Sequence, residues 1–448
     1  MRRHQTLFHC PRLPGTLHPG TISAPSSLPA ALPALCMALA LGACQESGVR
    51  EETHAGSLRP LTAEPDMRIG NFQDPDLGFT RIGGVDVDRD GNIYVVESSV
   101  PEIRVFSSEG RLLRRVGRQG GGPGEFEGSP RFGVVGDTIW TWDSRISRIT
   151  LFDRQGHVLS TGRTDGVRVQ LPRSIGSVLP HSMRPDGTFT SHFSRVSSAR
   201  GAPESGVEPT DSIPFPMVLF DASGAVTDTI GWAGRPPPRL WRPPSERGSL
   251  PESITIDGQR AWVPRPPPDT PFWLPVMDGY VVVEASPPER ETESVFAVTR
   301  MGLHGDTIYR REIRYEPIPY TDEDLDSIAA RGARGEPGGG VPYRPGAPAP
   351  PNWEAIARTL RAHMDYPEFR APLDYPWLAQ DESVWIRLTS REGAPSRWVV
   401  LDSEGRPRGT LELPPDLRVR WSRGDTLWAV ELDEYEVPWL VRYRIQGT

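Results

Sequence analysis

Three observations predict an all-β fold, a six-bladed β-propeller. A polar turn followed by a short apolar run recurs six times along the chain. A second hairpin, with its own glycine turn, recurs beside most of those runs. The composition supplies the third: 45 glycines and 49 prolines in 448 residues, with 37% hydrophobic residues, is rich in turns yet apolar enough for a core. Self-similarity at a fixed period of a few tens of residues is the mark of a radial or stacked architecture.

The first segment in order is a leader. Arg2, Arg3 and Arg12 precede an apolar run at 28–43, and Leu41-Gly42-Ala43-Cys44 has the form of a bacterial lipoprotein signal. Residues 1–43 are expected to be removed and Cys44 to carry lipid. Cleavage there discards Cys10 and Cys36, which excludes a disulfide or a cysteine metal site in the mature chain. It also discards three arginines and no acid, so the formal charge moves from −8 to −11. An acidic chain lacks the basic stripe that nucleic-acid phosphates require, so no nucleic-acid partner is expected. There is no lysine, and all 50 basic residues are arginine. That excludes Schiff-base chemistry and the Walker phosphate loop. Residues 44–65 are polar and aperiodic and read as a flexible tether, with the propeller expected over 66–448.

The clearest repeat spans 84–126. Apolar runs at 93–96, 103–106 and 112–116 are separated by the turns Asp90-Gly91 and Glu109-Gly110, the punctuation of a small antiparallel sheet. Ile93-Tyr94-Val95-Val96-Glu97 recurs 46 residues on as Ile139-Trp140-Thr141-Trp142-Asp143. Further copies of this second strand follow Asp186-Gly187, Asp278-Gly279, Asp381-Glu382 and Gly424-Asp425. The outer hairpin recurs before Gln155-Gly156, Ser223-Gly224 and Glu404-Gly405, with a looser copy before Gly302. The sixth unit lacks it, and a strand near Met67 is expected to close the ring and cover the exposed edges.

The first two units resemble NHL repeats, through Gly120-Gly121-Gly122-Pro123-Gly124-Glu125-Phe126 and the strand ends Glu97-Ser98 and Asp143-Ser144. The chain as a whole resembles the six-bladed propeller lipoproteins of bacteria. That resemblance implies a lipid-anchored protein of the cell envelope. Gln45 after Cys44, where an inner-membrane retention signal has aspartate, favours the outer membrane or the periplasmic side.

Three insertions, 194–215, 231–271 and 315–373, fall in loops at one face of such a ring, and function concentrates in loops on a rigid scaffold. The third contains two helices: acids at Asp322, Glu323 and Asp324 open one, and Asn352 caps a second whose Trp353, Ile356, Ala357, Leu360 and Met364 form an apolar stripe. The stripe is expected to pack on the propeller rim. Trp232, Trp241, Trp262 and Trp273 make the second insertion aromatic, suited to stacking on a peptide or glycan or to anchoring the loop.

Several side chains are candidates for chemistry. Asp86, Asp88, Asp90 and Glu97 satisfy a calcium-loop string, but a strand at 92–97 holds Glu97 roughly 20 Å from Asp90, which leaves at most a weaker metal site of Asp86, Asp88 and Asp90. Glu97, Asp143, Glu284 and Glu431 end second strands, with His192 and Arg387 at the matching places, and this set is the candidate ligand-binding ring on the insertion-bearing face. The competing expectation is that each carboxylate accepts amides of its own turn. No histidine pair has metalloprotease spacing and no nucleophile elbow is present. The expected function is a non-catalytic binding module, monomeric and without a cofactor, for a protein, peptide or glycan. The alternative, by resemblance, is a lactonase- or lyase-like enzyme with a divalent cation such as calcium near the axis.

Overall fold

The computed structural model describes residues 51–71, 73–74, 76–164, 168–171, 174–197, 213–235, 253–256, 259–264, 266, 271–303, 305–334 and 352–447. Cys44, and with it the leader and lipidation site, lies outside them. Strands β1 (Glu51–His54) and β2 (Pro60–Ile69) come first. The first sheet is β3 (Ile82–Val87), β4 (Ile93–Glu97), β5 (Glu102–Phe106) and β6 (Leu112–Val116), and the second is β7 (Arg131–Val135), β8 (Thr138–Asp143), β9 (Arg148–Asp153) and β10 (Val158–Arg163). The third adds β11 (Arg168–Leu171) to β12 (Ser174–Met183), β13 (Phe189–Ser197), β14 (Ile213–Phe220) and β15 (Val226–Arg235). A hairpin, β16 (Ser253–Ile256) and β17 (Gln259–Trp262), precedes the fourth sheet, β18 (Phe272–Val276), β19 (Gly279–Glu284), β20 (Val295–Gly302) and β21 (Thr307–Arg314). Helices α1 (Asp322–Arg334) and α2 (Trp353–His363) follow. The fifth sheet is β22 (Leu373–Leu378), β23 (Val384–Leu388), β24 (Ser396–Leu401) and β25 (Pro407–Leu413), and the sixth is β26 (Arg418–Arg423), β27 (Thr426–Leu432) and β28 (Pro438–Gly447).

Among the described residues, therefore, small and mainly antiparallel sheets follow one another, the last two joined through β2 into one run of eight strands, and the fold is an all-β propeller. The second strands read as unbroken apolar runs because both of their faces are buried. On β4, Ile93 and Val95 pack with Trp428 and Leu440 of the sixth sheet, whereas Tyr94 and Val96 pack with Ile139 and Phe152 of the second. Further clusters join second to third through Trp140 and Phe189, third to fourth through Leu219 and Tyr280, fourth to fifth through Phe296 and Ile386, and fifth to sixth through Trp398 and Val441. Each sheet contributes both of its faces, and the succession returns to its start. First strands line the inside, with β3 beside β7 and β26, β7 beside β12, and β18 beside β22.

The turns follow one rule. In Asp88-Arg89-Asp90-Gly91-Asn92, Gly91 has φ +83°, and Asp88 N–H donates to Asn92 O at 3.0 Å while Gly91 N–H donates to Asp88 O at 3.2 Å. This is a three-residue hairpin closed by a left-handed residue, a conformation that favours glycine. The same closure recurs at Gly156, Gly224 and Gly405, with φ +94°, +86° and +77°.

β2 closes the ring as expected, pairing antiparallel with β28 from Leu61 opposite Gly447 to Ile69 opposite Leu440. The tether expected over 44–65 is corrected for residues 51–65, the part that lies within the described residues. β2 begins at Pro60 and touches β25 in parallel at Leu61 opposite Leu411, and β1 adds a parallel strand to β21. The burial of Leu61 and Ala55 anchors a segment whose polar composition gave no periodic signal. The strands also extend into the insertions. β13 runs to Ser197, β14 starts at Ile213 and β15 reaches Arg235.

Candidate functional site

The nominated carboxylates fall into two kinds. Glu97 is buried and accepts Thr80 N–H at 2.8 Å, Arg81 N–H at 3.1 Å and Ser99 N–H at 2.9 Å. Asp143 repeats this, accepting Glu127 N–H at 2.6 Å, Gly128 N–H at 3.1 Å and Arg145 N–H at 2.9 Å. Each ties the end of its second strand to the chain entering its own sheet, which is the recurrent task behind the 46-residue spacing. Glu284 and Glu431 instead meet arginines: Glu284 lies 2.7 Å from Arg310, and Glu431 lies 3.2 Å from Arg68 and accepts from the Tyr443 hydroxyl. His192 is placed on β13 opposite Leu179, and its side chain lies outside the described residues. Of the six, Arg387 and Glu431 line a common recess.

The candidate metal trio is corrected: its members are divided among three environments. Asp86 is buried between β7 and β26 and accepts Val134 N–H at 2.7 Å and Trp421 Nε1–H at 3.0 Å. Asp88 accepts Asp90 N–H and Asn92 N–H, both at 2.9 Å, within its own turn. Asp90 faces outward and pairs with Arg154. No group of three His, Cys, Asp or Glu side chains able to hold a metal occurs among the described residues. The glycine run is likewise a turn, since its carbonyls at Gly121 and Gly122 accept from Arg148 at 2.9 and 2.8 Å.

The concave surface lies at the inner strands. A recess of about 840 Å³ opens between the fifth and sixth sheets, bounded by Arg387, Pro414, Arg418 and the β27–β28 loop at Asp433 and Glu436. It shares Tyr375, Val419 and Arg420 with a cavity of about 530 Å³, which is lined by first-strand residues of the first, second, third, fifth and sixth sheets, among them Arg131, His181 and Trp377. Both volumes lie in the range typical of small-molecule sites.

The smaller cavity is cationic, with Arg131 and Arg420 and no carboxylate in its lining, whereas the recess mixes Arg387, Arg418 and Arg420 with Asp416, Glu431, Asp433 and Glu436. Arg131 is exposed to the cavity, and partial desolvation by the surrounding protein lowers its pKa. Arg420 is lowered by burial first and then by the charges of Arg418 and Arg81. The Arg420 Nε is buried and has no hydrogen-bond partner among the described residues. Arg387 Nε lies 3.3 Å from Asp374 Oδ2 without hydrogen-bond alignment, and its guanidinium sits 5.8 Å over the Tyr375 ring. Burial raises the Asp374 carboxyl, against the pull of Arg387. Of the acids at the recess, Asp433 accepts Trp439 Nε1–H at 3.1 Å and Tyr435 N–H at 2.9 Å, and Glu431 meets Arg68. An arginine stays protonated throughout the ordinary pH range, so these guanidinium groups can hold an anion or stack on a flat group.

The structure thus brings forward Arg131, Arg420 and Tyr375, which the sequence reading missed. All three sit on first strands. Their signal was a polar residue at a strand position facing the channel, as in Arg418-Val419-Arg420. The repeat is legible on the apolar second strands and not on these polar first-strand positions.

The insertions form a cap. The stripe on α2 does not pack on the rim as expected. Ile356 and Leu360 cluster with Ala329 and Ala333 of α1 and with Ala261 of the β16–β17 hairpin, so the second and third insertions bury each other's apolar faces. Asn352 caps α2 as expected, accepting Ala355 N–H at 3.1 Å. Arg370 Nη2 holds Asp324 on α1 at 2.6 Å, and Arg331 reaches Glu392 in the β23–β24 loop at 3.5 Å. In chain topology that loop matches the β27–β28 loop bordering the recess. Trp273 packs on Tyr280 with ring centroids 5.2 Å apart, as an anchor. The side chains of Trp232, Trp241 and Trp262 lie outside the described residues.

No family model and no curated protein matches the chain. It is similar to solved structures at low identity. A protein described as exported, from Bacteroides fragilis, is 13% identical with a TM-score of 0.42, covering 89% of this chain and 99% of that one. A member of the duf4221 family from Bacteroides vulgatus is 9% identical with a TM-score of 0.39, covering 87% and 98%. A streptogramin B lyase is 9% identical with a TM-score of 0.32, covering 87% and 88%.

Proposed function

We propose that this protein is a non-catalytic binding module of the NHL-repeat-like lipoprotein type, held in the cell envelope by lipid on Cys44. It takes its ligand at the end of the ring that carries the recess and the β23–β24 and β27–β28 loops. One observation carries this reading: a cavity lined from the first strands of five sheets presents Arg131, Arg420 and the rings of Tyr375 and Trp377 with no carboxylate in its lining, while Glu97 and Asp143 are committed to backbone amides. A divalent cation needs converging carboxylates, which the lining of that cavity does not provide. A lactonase- or lyase-like metal enzyme is the reading this one competes with.

Metal analysis of protein extracted with detergent from the membrane fraction tests both parts. The expected result is membrane recovery that depends on Cys44, with no stoichiometric divalent ion. A tightly held ion lost in Glu97→Gln or Glu431→Gln would overturn the binding reading, and recovery in the soluble fraction would overturn the anchor.

A further inference from the structure

We infer that the axial cavity is an oxyanion site, in which Arg131 and Arg420 hold the carboxylate or phosphate of a small ligand whose flat apolar body lies against Tyr375 and Trp377. The inference rests on the binding reading above and names the ligand chemistry.

Four observations support it. First, Arg131 and Arg420 line one cavity of about 530 Å³, yet they come from the second and sixth sheets. Neither has an ion pair or hydrogen bond among the described residues, in a chain where most structured arginines are paired with acids or carbonyls. Second, the Arg420 Nε is fully enclosed with no acceptor. A buried guanidinium donor left unmatched is costly, and an oxyanion entering the cavity supplies the missing acceptor. Third, the neighbouring charges sharpen the deficit. Arg418 and Arg81 act on Arg420 with the same sign. The protein as a whole is acidic, with a formal charge of −8, so the positive interior is local and opposes the net charge. Fourth, Tyr375, Trp377, Trp140 and Phe132 provide aromatic wall, which a bare inorganic ion would not use.

The planar guanidinium fork matches carboxylate and phosphate in the same bidentate way, so the two head groups share this chemistry and the experiment separates them. Calorimetric titration of the purified protein with phenyl phosphate and with benzoate, beside inorganic phosphate and the neutral phenyl β-glucoside, reads the site. The expected result is saturable one-site binding of at least one aromatic oxyanion, tighter than that of inorganic phosphate. Arg420→Gln and Arg131→Gln should each weaken it by roughly tenfold or more, the scale of one charge-assisted hydrogen bond. Arg397→Gln, on the third strand of the fifth sheet, should leave it unchanged. Because Arg420 is unmatched in the free protein, its replacement should not lower the melting temperature, so weaker binding is not a folding artefact.

Equal affinity in wild type, Arg131→Gln and Arg420→Gln would overturn the assignment, as would the absence of saturable binding. If phenyl β-glucoside binds instead and Tyr375→Ala abolishes it, the binding face stands and the oxyanion chemistry falls. If every probe that binds does so unchanged in Tyr375→Ala and Val419→Trp, the binding face falls with it.

Discussion

Asp86 is a buried carboxylate on a first strand, and its two distant donors come from different sheets, Val134 on β7 and Trp421 on β26. Replacing it with alanine leaves both N–H groups buried and unpaired, which costs about 2–5 kcal/mol in all. Asp86→Asn keeps one acceptor oxygen and should cost less. Burial pushes the carboxyl up to about 6, against hydrogen bonds from Val134, Val87 and Trp421. The folded chain therefore binds this proton more tightly than the unfolded chain. The stability it contributes is full below the ordinary carboxylate range, about pH 4, and is lost as pH rises through about 6. Asp324 has the opposite sign. Its hydrogen bond from Arg370 holds it down at about 2, so its contribution is present above the ordinary carboxylate range and lost on acidification toward that value. The measurement is denaturant unfolding across pH: wild type should lose stability between about pH 4 and 6 relative to Asp86→Asn. Parallel curves would show that Asp86 does not titrate there. The sequence showed that the string around Asp88 is a turn, because the glycine and its spacing are local. It could not show what Asp86 does, since its partner Trp421 is 335 residues away.

At the scale of elements, legibility followed the same division. Second strands were readable from their unbroken apolar runs, which mark burial on both faces, and the cap of α2 was readable from Asn352. The stripe on α2 was visible too, but amphipathicity states that a face must be covered and not by what. The cover proved to be α1 and a hairpin within the preceding insertion, where proline-rich sequence obscured the alternation of β16 and β17. This arrangement has a consequence for stability. Leu360 is fully buried in a cluster separate from those that join the sheets. Leu360→Ala should destabilise the cap by about 2–5 kcal/mol while leaving the sheets intact. Hydrogen exchange would report faster exchange in α1, α2 and the hairpin with unchanged protection in β4 and β23. Loss of protection throughout would mean that cap and ring unfold as one unit.

For the whole molecule, the decisive contact joins segments far apart in the chain. Without β2 the sixth sheet would end at β28, with a row of unpaired backbone groups and an open apolar edge. β2 buries Leu61 and Ile69 beside that strand. Asp66, at the irregularity between Pro65 and Met67, binds Arg442 at 2.7 Å and Arg444 at 2.9 Å. Two buried aliphatic side chains are worth about 1.5–3 kcal/mol each, and the ladder adds to this, so the closure is a large part of a domain stability of about 5–15 kcal/mol. A chain starting at Gly70 should therefore melt lower and self-associate through the bare edge of β28. The register also states how to repair it. Gly447 stands opposite Leu61, so residues 60–69 placed after Gly447 through a short turn would fold back as a hairpin in the native register. That rearranged chain should recover both the melting temperature and the monomeric elution that the truncated chain loses, because the closing strand becomes local without any contact being altered. If it remains as unstable as the truncated chain, the stability carried by the N-terminal segment resides in β1 and its pairing with β21, and not in the closure of the sixth sheet.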